Sequence, residues 1–577
     1  MIDLVIRGGQ VIDGSGSGAT PGDVAIDAGR IVEVGPSLTL SARRELSADG
    51  AYVTPGFVDI HTHYDAQVLW DPLVSPSSEH GVTSVVIGNC GLGLAPVRPP
   101  DRPAVQRLLG GVEDIPQDAL DEGIQWSWEN YPEYLKALDS SPRSVEVGAL
   151  VGHAALRVYA MGGERAYRDA ARPDEIAEMA DQLRQALAAG ALGLSTSRSP
   201  LHCDCDGRST PSYFALDEEL NALAEVFRSE GRGVIELSFR GSAGDDPDAI
   251  EGELAWMRDF AVRAKRPVTF GIAQLDACPD RWKLAYDRAL DARAVGIELR
   301  PQTLGRMQSV LVGLQTVHPF AYRPSYLALG ELPLAERVQR LRDPALRQRI
   351  LSEEPLPAPE NDPFAVLFDY AGDRVFILDE NPDYEPGPEK SLAALARREA
   401  RPEIEVLYDL LLEEDGQSLL LYAVANYSAG DHGVAYEMLS HPCSLMGLGD
   451  GGAHCGLICD ASVPTFLLTH WSRDRQRGPR FPIEWIVHKQ TADPAALFGL
   501  KDRGLLRPGL RADINVIDFS QLQLERPRVV HDLPAAGRRL VQGARGYVAT
   551  LVAGQITREH GRDTGARPGG LARAHAV

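Results

Sequence analysis

The run Gly56-Phe57-Val58-Asp59-Ile60-His61-Thr62-His63 closes an apolar stretch with His-x-His. Alternate side chains on a strand share a face, so His61 and His63 point the same way. At the C-terminal mouth of a barrel that way is inward. Two neutral imidazoles converging there form half of a zinc site. A second run, Leu448-Gly449-Asp450-Gly451-Gly452-Ala453-His454, puts a carboxylate at the end of another apolar stretch. Such a group can bind a metal and take a proton from water. Read alone, it is equally an Asx turn before a helix; the pairing with His-x-His favours the ligand. A third run, Val85-Val86-Ile87-Gly88-Asn89-Cys90-Gly91, ends in a thiol. Thiolate is a good zinc ligand, although residue type alone favours a small buried hydrophobe at Cys90.

These groups need elements to hold them. Apolar strands are expected at 57–60, 82–87, 145–151, 191–195, 233–237, 268–273, 296–299 and 444–448. Amphipathic helices lie between them. Residues 174–189 place Ile176, Ala180, Leu183 and Leu187 on one face, with Pro173 before and Gly190 after. Residues 216–229 repeat the design, with Asp217 as N-cap and a stripe of Leu220, Leu223 and Phe227. Strand–helix alternation argues for a parallel sheet, and about eight such units for a closed barrel. The first fifty residues instead carry short apolar runs broken by Gly-rich turns, and the style returns at 513–517 and 547–552. The two ends therefore pair into one small β domain.

One segment breaks the rhythm. More than a hundred residues separate Gln302 from His441, too many for a loop. They include a Pro-rich, charged stretch at 353–363 and helical pieces at 334–341 and 344–351, the latter opened by Asp343 before Pro344. If this segment follows strand seven, it lies on the catalytic face and can act as a lid. The expected fold is thus α/β: a TIM-type (β/α)8 barrel, a small β-sandwich domain formed by both termini, and an inserted subdomain before the last barrel strand. The expected boundaries are 1–54 and 501–560 for the β domain, 55–302 and 441–500 for the barrel, and 303–440 for the insertion. Residues 561–577 form a loose tail or a surface strap.

The bulk numbers narrow the function classes. The chain has 577 residues, of which 44% are hydrophobic, enough for a sizeable core. Its 81 Asp+Glu against 58 Lys+Arg give a formal charge of −23, which disfavours nucleic acid and anionic membranes as partners. No signal peptide and no stretch of roughly twenty apolar residues is found. The seven cysteines fit a reducing cytoplasm better than a disulfide framework. The expected partner is a small-molecule substrate; oligomeric state stays open, a homo-oligomer included.

The motifs together resemble the amidohydrolase superfamily, and within it the N-acyl-D-amino-acid deacylases (D-aminoacylases). The resemblance runs over most of the chain. It covers IRGGQVIDG, VTPGFVDIHTHYD, GVTSVVIGNCG, LVGHAALR around His153, GALGLSTS around Ser195, MGLGDGGAH, TADPAALFGLKDRGLLRPGLRADINVID and TGARPGGLAR. It implies zinc surrounded by His61, His63, Cys90 and Asp450, with Asp450 activating the water that attacks an amide carbonyl. It also implies a split β domain and a barrel insertion.

The sequence departs from the family pattern at two places. Ser238, in Glu236-Leu237-Ser238-Phe239-Arg240, stands where the family has a histidine after strand five. Phe270-Gly271-Ile272-Ala273-Gln274 contains no histidine after strand six. The expectation is therefore one zinc per chain on His61, His63 and Asp450, joined by Cys90, with a second metal left open. His153, Glu236 and Gln274 are reserve ligands. Arg198, Arg240, Arg300 and His153 are candidate substrate-binding residues, since a guanidinium can clamp a carboxylate; any one arginine can equally pair with an acidic neighbour on the rim. His454 is a second candidate catalytic residue, placed to orient Asp450 or the substrate carbonyl. The implied reaction is hydrolysis of an N-acyl-D-amino acid or related N-acyl amine. Hydrolysis of a cyclic amide, urea-like or carbamate compound is an alternative, and a degenerate scaffold that keeps only the fold is another.

Overall fold

The computed structural model describes residues 1–242, 244–357 and 371–574. Eight parallel strands run in sequential order around a barrel: β1 Phe57–Asp59, β2 Val82–Ile87, β3 Glu146–Gly152, β4 Gly193–Ser197, β5 Val234–Ser238, β6 Val268–Gly271, β7 Leu299–Thr303 and β8 Leu445–Met446. Strands β2, β3 and β4 are buried along their whole length, as expected of parallel strands covered on both faces. The ring closes just beyond β1 and β8. There the backbone N–H of Asp450 donates to the His61 carbonyl at 3.0 Å, and that of His63 to the Gly451 carbonyl at 2.8 Å.

The helices that follow the strands include α1 Arg102–Glu113, α2 His153–Met161, α3 Pro173–Ala189, α4 Asp217–Glu230, α5 Ile250–Ala264 and α6 Arg281–Ala294. Pro173 is the first residue of α3, where its missing N–H costs nothing. Gly190 ends the helix at φ +114°. Asp217 does not cap α4. It is the first helical residue after Leu216, and with Glu218 and Glu219 it sets negative charge against the helix N-terminus.

The two chain ends share one nine-stranded mixed sheet. Tyr52–Pro55 pairs antiparallel with Ile514–Ile517, Val53 opposite Val516. Leu4, Ile6, Val24, Val516 and Leu551 are among the side chains of its core. Arg503 ties this domain to the barrel floor, donating to Glu146 Oε2 at 2.5 Å and Ser84 Oγ at 2.9 Å. The C-terminal residues are a strap rather than a loose tail. Ala572 N–H donates to the Val147 carbonyl at 2.9 Å, alongside the start of β3.

The segment after β7 carries a small sheet and helices of its own. Gln308–Val312, Leu420–Ala425 and Val375–Ile377 form a three-stranded antiparallel sheet, and helices Leu334–Leu341, Pro344–Ser352 and Glu403–Leu411 pack around it. Asp343 caps its helix by accepting from Leu346 N at 2.8 Å. Residues 358–363 of the Pro-rich stretch and 575–577 of the tail lie outside the described residues. No helix among the described residues is long and apolar enough to cross a membrane, and all seven cysteines are free thiols.

Candidate metal centre

His61 and His63 leave β1 on one side of the chain, and their rings meet edge to face with centroids 5.3 Å apart. Cys90 Sγ lies 3.4 Å from His61 Nε2 and 4.0 Å from His63 Nε2. Asp450 Oδ1 lies 3.5 Å and 3.7 Å from the same two nitrogens. The four groups face a cavity of about 540 Å³ at the C-terminal mouth of the barrel.

Local backbone explains why these residues arrive there. Asn89 Nδ2 donates to the carbonyls of Thr62 and Val86, and Ser195 Oγ bonds both the Gly88 carbonyl and Gly91 N–H. This loop holds Cys90 in the left-handed region at φ +57°; Asp450 and His454 are held there too, at +44° and +47°. Left-handed backbone is uncommon for such residues and concentrates at functional sites. The glycines after Asp450 allow close approach: a Cβ on Gly451 would meet Tyr64 Oη at 2.7 Å, and Gly452 sits at φ +89°.

The outer nitrogens of both rings are oriented. His61 Nδ1 lies 3.0 Å from Gln302 Oε1, so it donates and leaves its Nε2 lone pair facing the cluster. His63 Nδ1 lies 3.1 Å from Glu113 Oε1, at the end of α1. Glu236 sits behind the thiol: its Oε2 accepts from Cys90 N–H at 2.7 Å, and its Oε1 is 3.9 Å from His61 Nδ1.

Charge is distributed unevenly over this buried set. Burial holds the Cys90 thiol up at about 12, with Glu236 adding to it. Burial likewise raises Glu236 to about 8 and lowers His61 to about 4. Burial works against the Asp450 carboxylate too, but the His63 hydrogen bond and the neighbouring imidazoles outweigh it and bring Asp450 to about 2. Asp450 is thus the fixed anion of the site. A divalent cation between the nitrogens would deprotonate a coordinating thiol.

The amidohydrolase family profile matches residues 44–558. The chain belongs to the amidohydrolase family. Among curated relatives, the N-acyl-D-glutamate deacylase of Alcaligenes xylosoxydans xylosoxydans is 30% identical over 529 residues, covering 90% of this chain and 87% of the relative. The D-aminoacylase of the same organism is 28% identical over 516 residues, covering 89% and 88%. In fold the chain is similar to the N-acyl-D-glutamate deacylase of Bordetella bronchiseptica solved with zinc and a phosphonate inhibitor. That likeness has a TM-score of 0.65 at 23% identity, over 99% of this chain and 100% of the other.

Within this amidohydrolase barrel, Ser238 and Ile272 both line the cavity. Ser238 Oγ donates to Cys90 Sγ at 3.2 Å. Glu113 and Gln302 are not anticipated from sequence, yet they hold the two rings.

His153, Arg198, Arg300, Arg240 and Gln274 are not brought to the cluster. His153 opens α2 on the outer layer, with Nδ1 at 2.8 Å from Thr196 Oγ1 and Nε2 at 2.7 Å from Glu219 Oε1. Arg198 forks onto Glu253 of α5, at 2.9–3.1 Å. Arg300 lies inside β7 rather than after it. Its guanidinium turns to the barrel floor, onto Asp493 at 2.8 Å and the carbonyls of Cys443 and Ser444. Arg240 is exposed beside the mouth, 3.5 Å from Asp246. Gln274 is spent on the insertion: its N–H donates to Asn426 Oδ1 at 2.7 Å, and its Oε1 accepts from Ser428 N.

A second convergence, Glu385, His432 and His470, is satisfied without an ion. Arg475 forks onto Glu385 at 3.1 Å. His432 Nε2 accepts from Met307 N–H at 3.0 Å, so the neutral ring carries its proton on Nδ1, the atom that faces the cluster.

Proposed function

We propose that this cavity is the active site of a metal-dependent hydrolase that cleaves the amide C–N bond of an N-acyl-D-amino acid or a related N-acylated amine. In this reading one zinc ion is held by His61, His63, Asp450 and Cys90. The observation that carries it is the approach of Cys90 Sγ and of Asp450 Oδ1 to the Nε2 atoms of both histidines, at 3.4–4.0 Å, in one cavity. The donor set fits the ion: imidazole, carboxylate and thiolate are zinc ligands, and His61 is held from behind by Gln302 while Glu113 stands 3.1 Å behind His63. The names of the relatives support the substrate class.

When bound there, zinc supplies Lewis acidity, which acidifies water and polarises a carbonyl oxygen. The chain's residues do the rest. Asp450 faces the cavity, where its carboxylate can accept the proton of the attacking water and return it to the departing nitrogen. His454, four residues on and beside Glu113, presents its ring at the mouth, where it can meet the substrate carbonyl oxygen. Gln302 and Glu113 keep the rings aimed. Ser238 and Ile272 remove two donors, which favours one metal over two.

Elemental analysis of protein purified without added metal tests the site. About one zinc per chain, with amide hydrolysis lost on chelation and restored by zinc, is expected. Protein that takes up no metal on add-back overturns the reading. A Cys90→Ser variant of the cobalt-substituted enzyme, which is expected to lose thiolate-to-metal absorption, tests the fourth ligand separately.

A further inference from the structure

We propose that the substrate is uncharged beside its scissile amide: the site selects carboxamide- or ester-like N-acyl amines over free N-acyl amino acids. This rests on the reading of the cavity as an amide hydrolase site and narrows its substrate.

Among the described residues no lysine or arginine lines the cavity. The residues left undescribed, Ala243, 358–370 and 575–577, contain neither lysine nor arginine. The acids are different: Glu113, Asp204 and Asp450 all border the space. Much of the remaining wall is hydrocarbon, with Val112, Leu201, Ile272, Ala273 and Leu448.

The nearby guanidinium groups are turned elsewhere. Arg208 holds Asp204 at 2.7 Å. Arg198 is forked onto Glu253. Arg107 lies 3.7 Å from Asp206 and Arg240 lies 3.5 Å from Asp246, both partly in solvent. The charge that zinc brings is matched by the Cys90 thiolate and the Asp450 carboxylate of its own donor set.

A substrate carboxylate entering this space gives up water and meets no lysine or arginine there, a penalty that a carboxamide does not incur. The neutral donors and acceptors that are present suit an amide instead. His202 lines the cavity with Nδ1 engaged by Ser197 Oγ at 2.9 Å, and Ser242, Gln308 and the histidine at 454 border the same space. The reaction balances as plain hydrolysis. The acyl C–N bond breaks, the water oxygen goes to the acyl carbon, and a water proton goes to the nitrogen. The products are a carboxylate and an amine whose own carboxamide is untouched.

Matched pairs test this: N-acetyl-D-leucine against N-acetyl-D-leucinamide, and the phenylalanine pair. kcat/KM is measured on the zinc-loaded enzyme, and Kd by calorimetry on the same enzyme with analogues of each pair whose scissile amide is replaced by a non-hydrolysable ketomethylene. The carboxamide is expected to be favoured about tenfold or more in both. Equal or better binding and turnover of the free acid overturns the proposal while leaving amide hydrolysis standing. A carboxamide preference in Kd without turnover of any compound upholds the selection and removes the hydrolase reading. An acid preference that disappears in Arg240→Ala also overturns it, and identifies Arg240 as the missing cation.

Discussion

Asp450 meets His61 twice: its backbone N–H donates to the His61 carbonyl at 3.0 Å, and its Oδ1 lies 3.5 Å from His61 Nε2. The seam that closes the barrel is therefore the seam that assembles the donor set, and the backbone contact does not need the carboxylate. Asp450→Asn keeps the shape and removes the proton acceptor. We expect its melting temperature to stay near the parent's while turnover falls about 10²- to 10⁴-fold. His61→Ala is expected to abolish turnover and lower the zinc content. Full activity in either folded variant removes the assignment.

Glu113 reaches the site from α1, 3.1 Å from His63 Nδ1, and the Glu113 carbonyl also accepts from His454 N–H at 2.5 Å. A carboxylate behind a ligating imidazole fixes its tautomer and raises its basicity. Glu113→Gln retains the size and loses the charge. Zinc affinity, read by competition with a chromophoric chelator, is expected to weaken about 10- to 100-fold. At saturating zinc, kcat should recover most of its value; unchanged affinity would show that Glu113 serves packing alone.

His61, His63 and Asp450 are legible in the sequence because each follows an apolar run whose end becomes a barrel mouth. Glu113 is not, because nothing in its spacing relates it to His-x-His; only the packing of α1 against the β8 exit brings it there. Strand β7 shows a different difficulty. The run Gly296-Ile297-Glu298-Leu299 looks more strand-like than Leu299-Arg300-Pro301-Gln302-Thr303, yet the second is the strand. Its polar side chains are tolerated inside because Gln302 bonds His61 and Thr303 bonds Tyr286. These are tertiary contacts that no local pattern reports. The same shift turns Arg300 from an apparent rim residue into a floor residue.

Arg300 and Arg198 accordingly separate stability from substrate binding. Arg300 is largely buried against Asp493, and its loss leaves that carboxylate beside Lys489 alone. Arg300→Ala is expected to cost about 3 kcal/mol of folding free energy with KM unchanged in the protein that remains folded. Arg198 is more exposed, and Arg198→Ala is expected to cost about 1 kcal/mol, again without a KM effect. Denaturant titrations and steady-state kinetics check both. A rise in KM with unaltered stability would place either guanidinium on the substrate after all.

His80 predicts how the fold responds to acid. It is fully buried between the barrel and the C-terminal segment, with Nδ1 2.8 Å from Thr465 Oγ1 and Nε2 2.8 Å from the Gln542 carbonyl. A carbonyl only accepts, so Nε2 carries the proton and Nδ1 takes the threonine hydroxyl; the ring is satisfied as the neutral form. Burial lowers its pKa to about 4, with Arg306 and Arg558 contributing and the Gln542 hydrogen bond opposing. In the unfolded chain it returns to about 6.5. Between these values the unfolded state binds more protons, so the contribution of His80 is complete above about pH 6.5 and is lost as pH falls toward 4. The whole effect is on the order of 3 kcal/mol. His80→Gln keeps a donor for the Gln542 carbonyl but cannot titrate. Between pH 7 and pH 4.5 the parent is expected to lose about 2 kcal/mol more stability than the variant, measured by urea unfolding at each pH. Parallel losses in the two proteins would mean that His80 is not the group that acid charges.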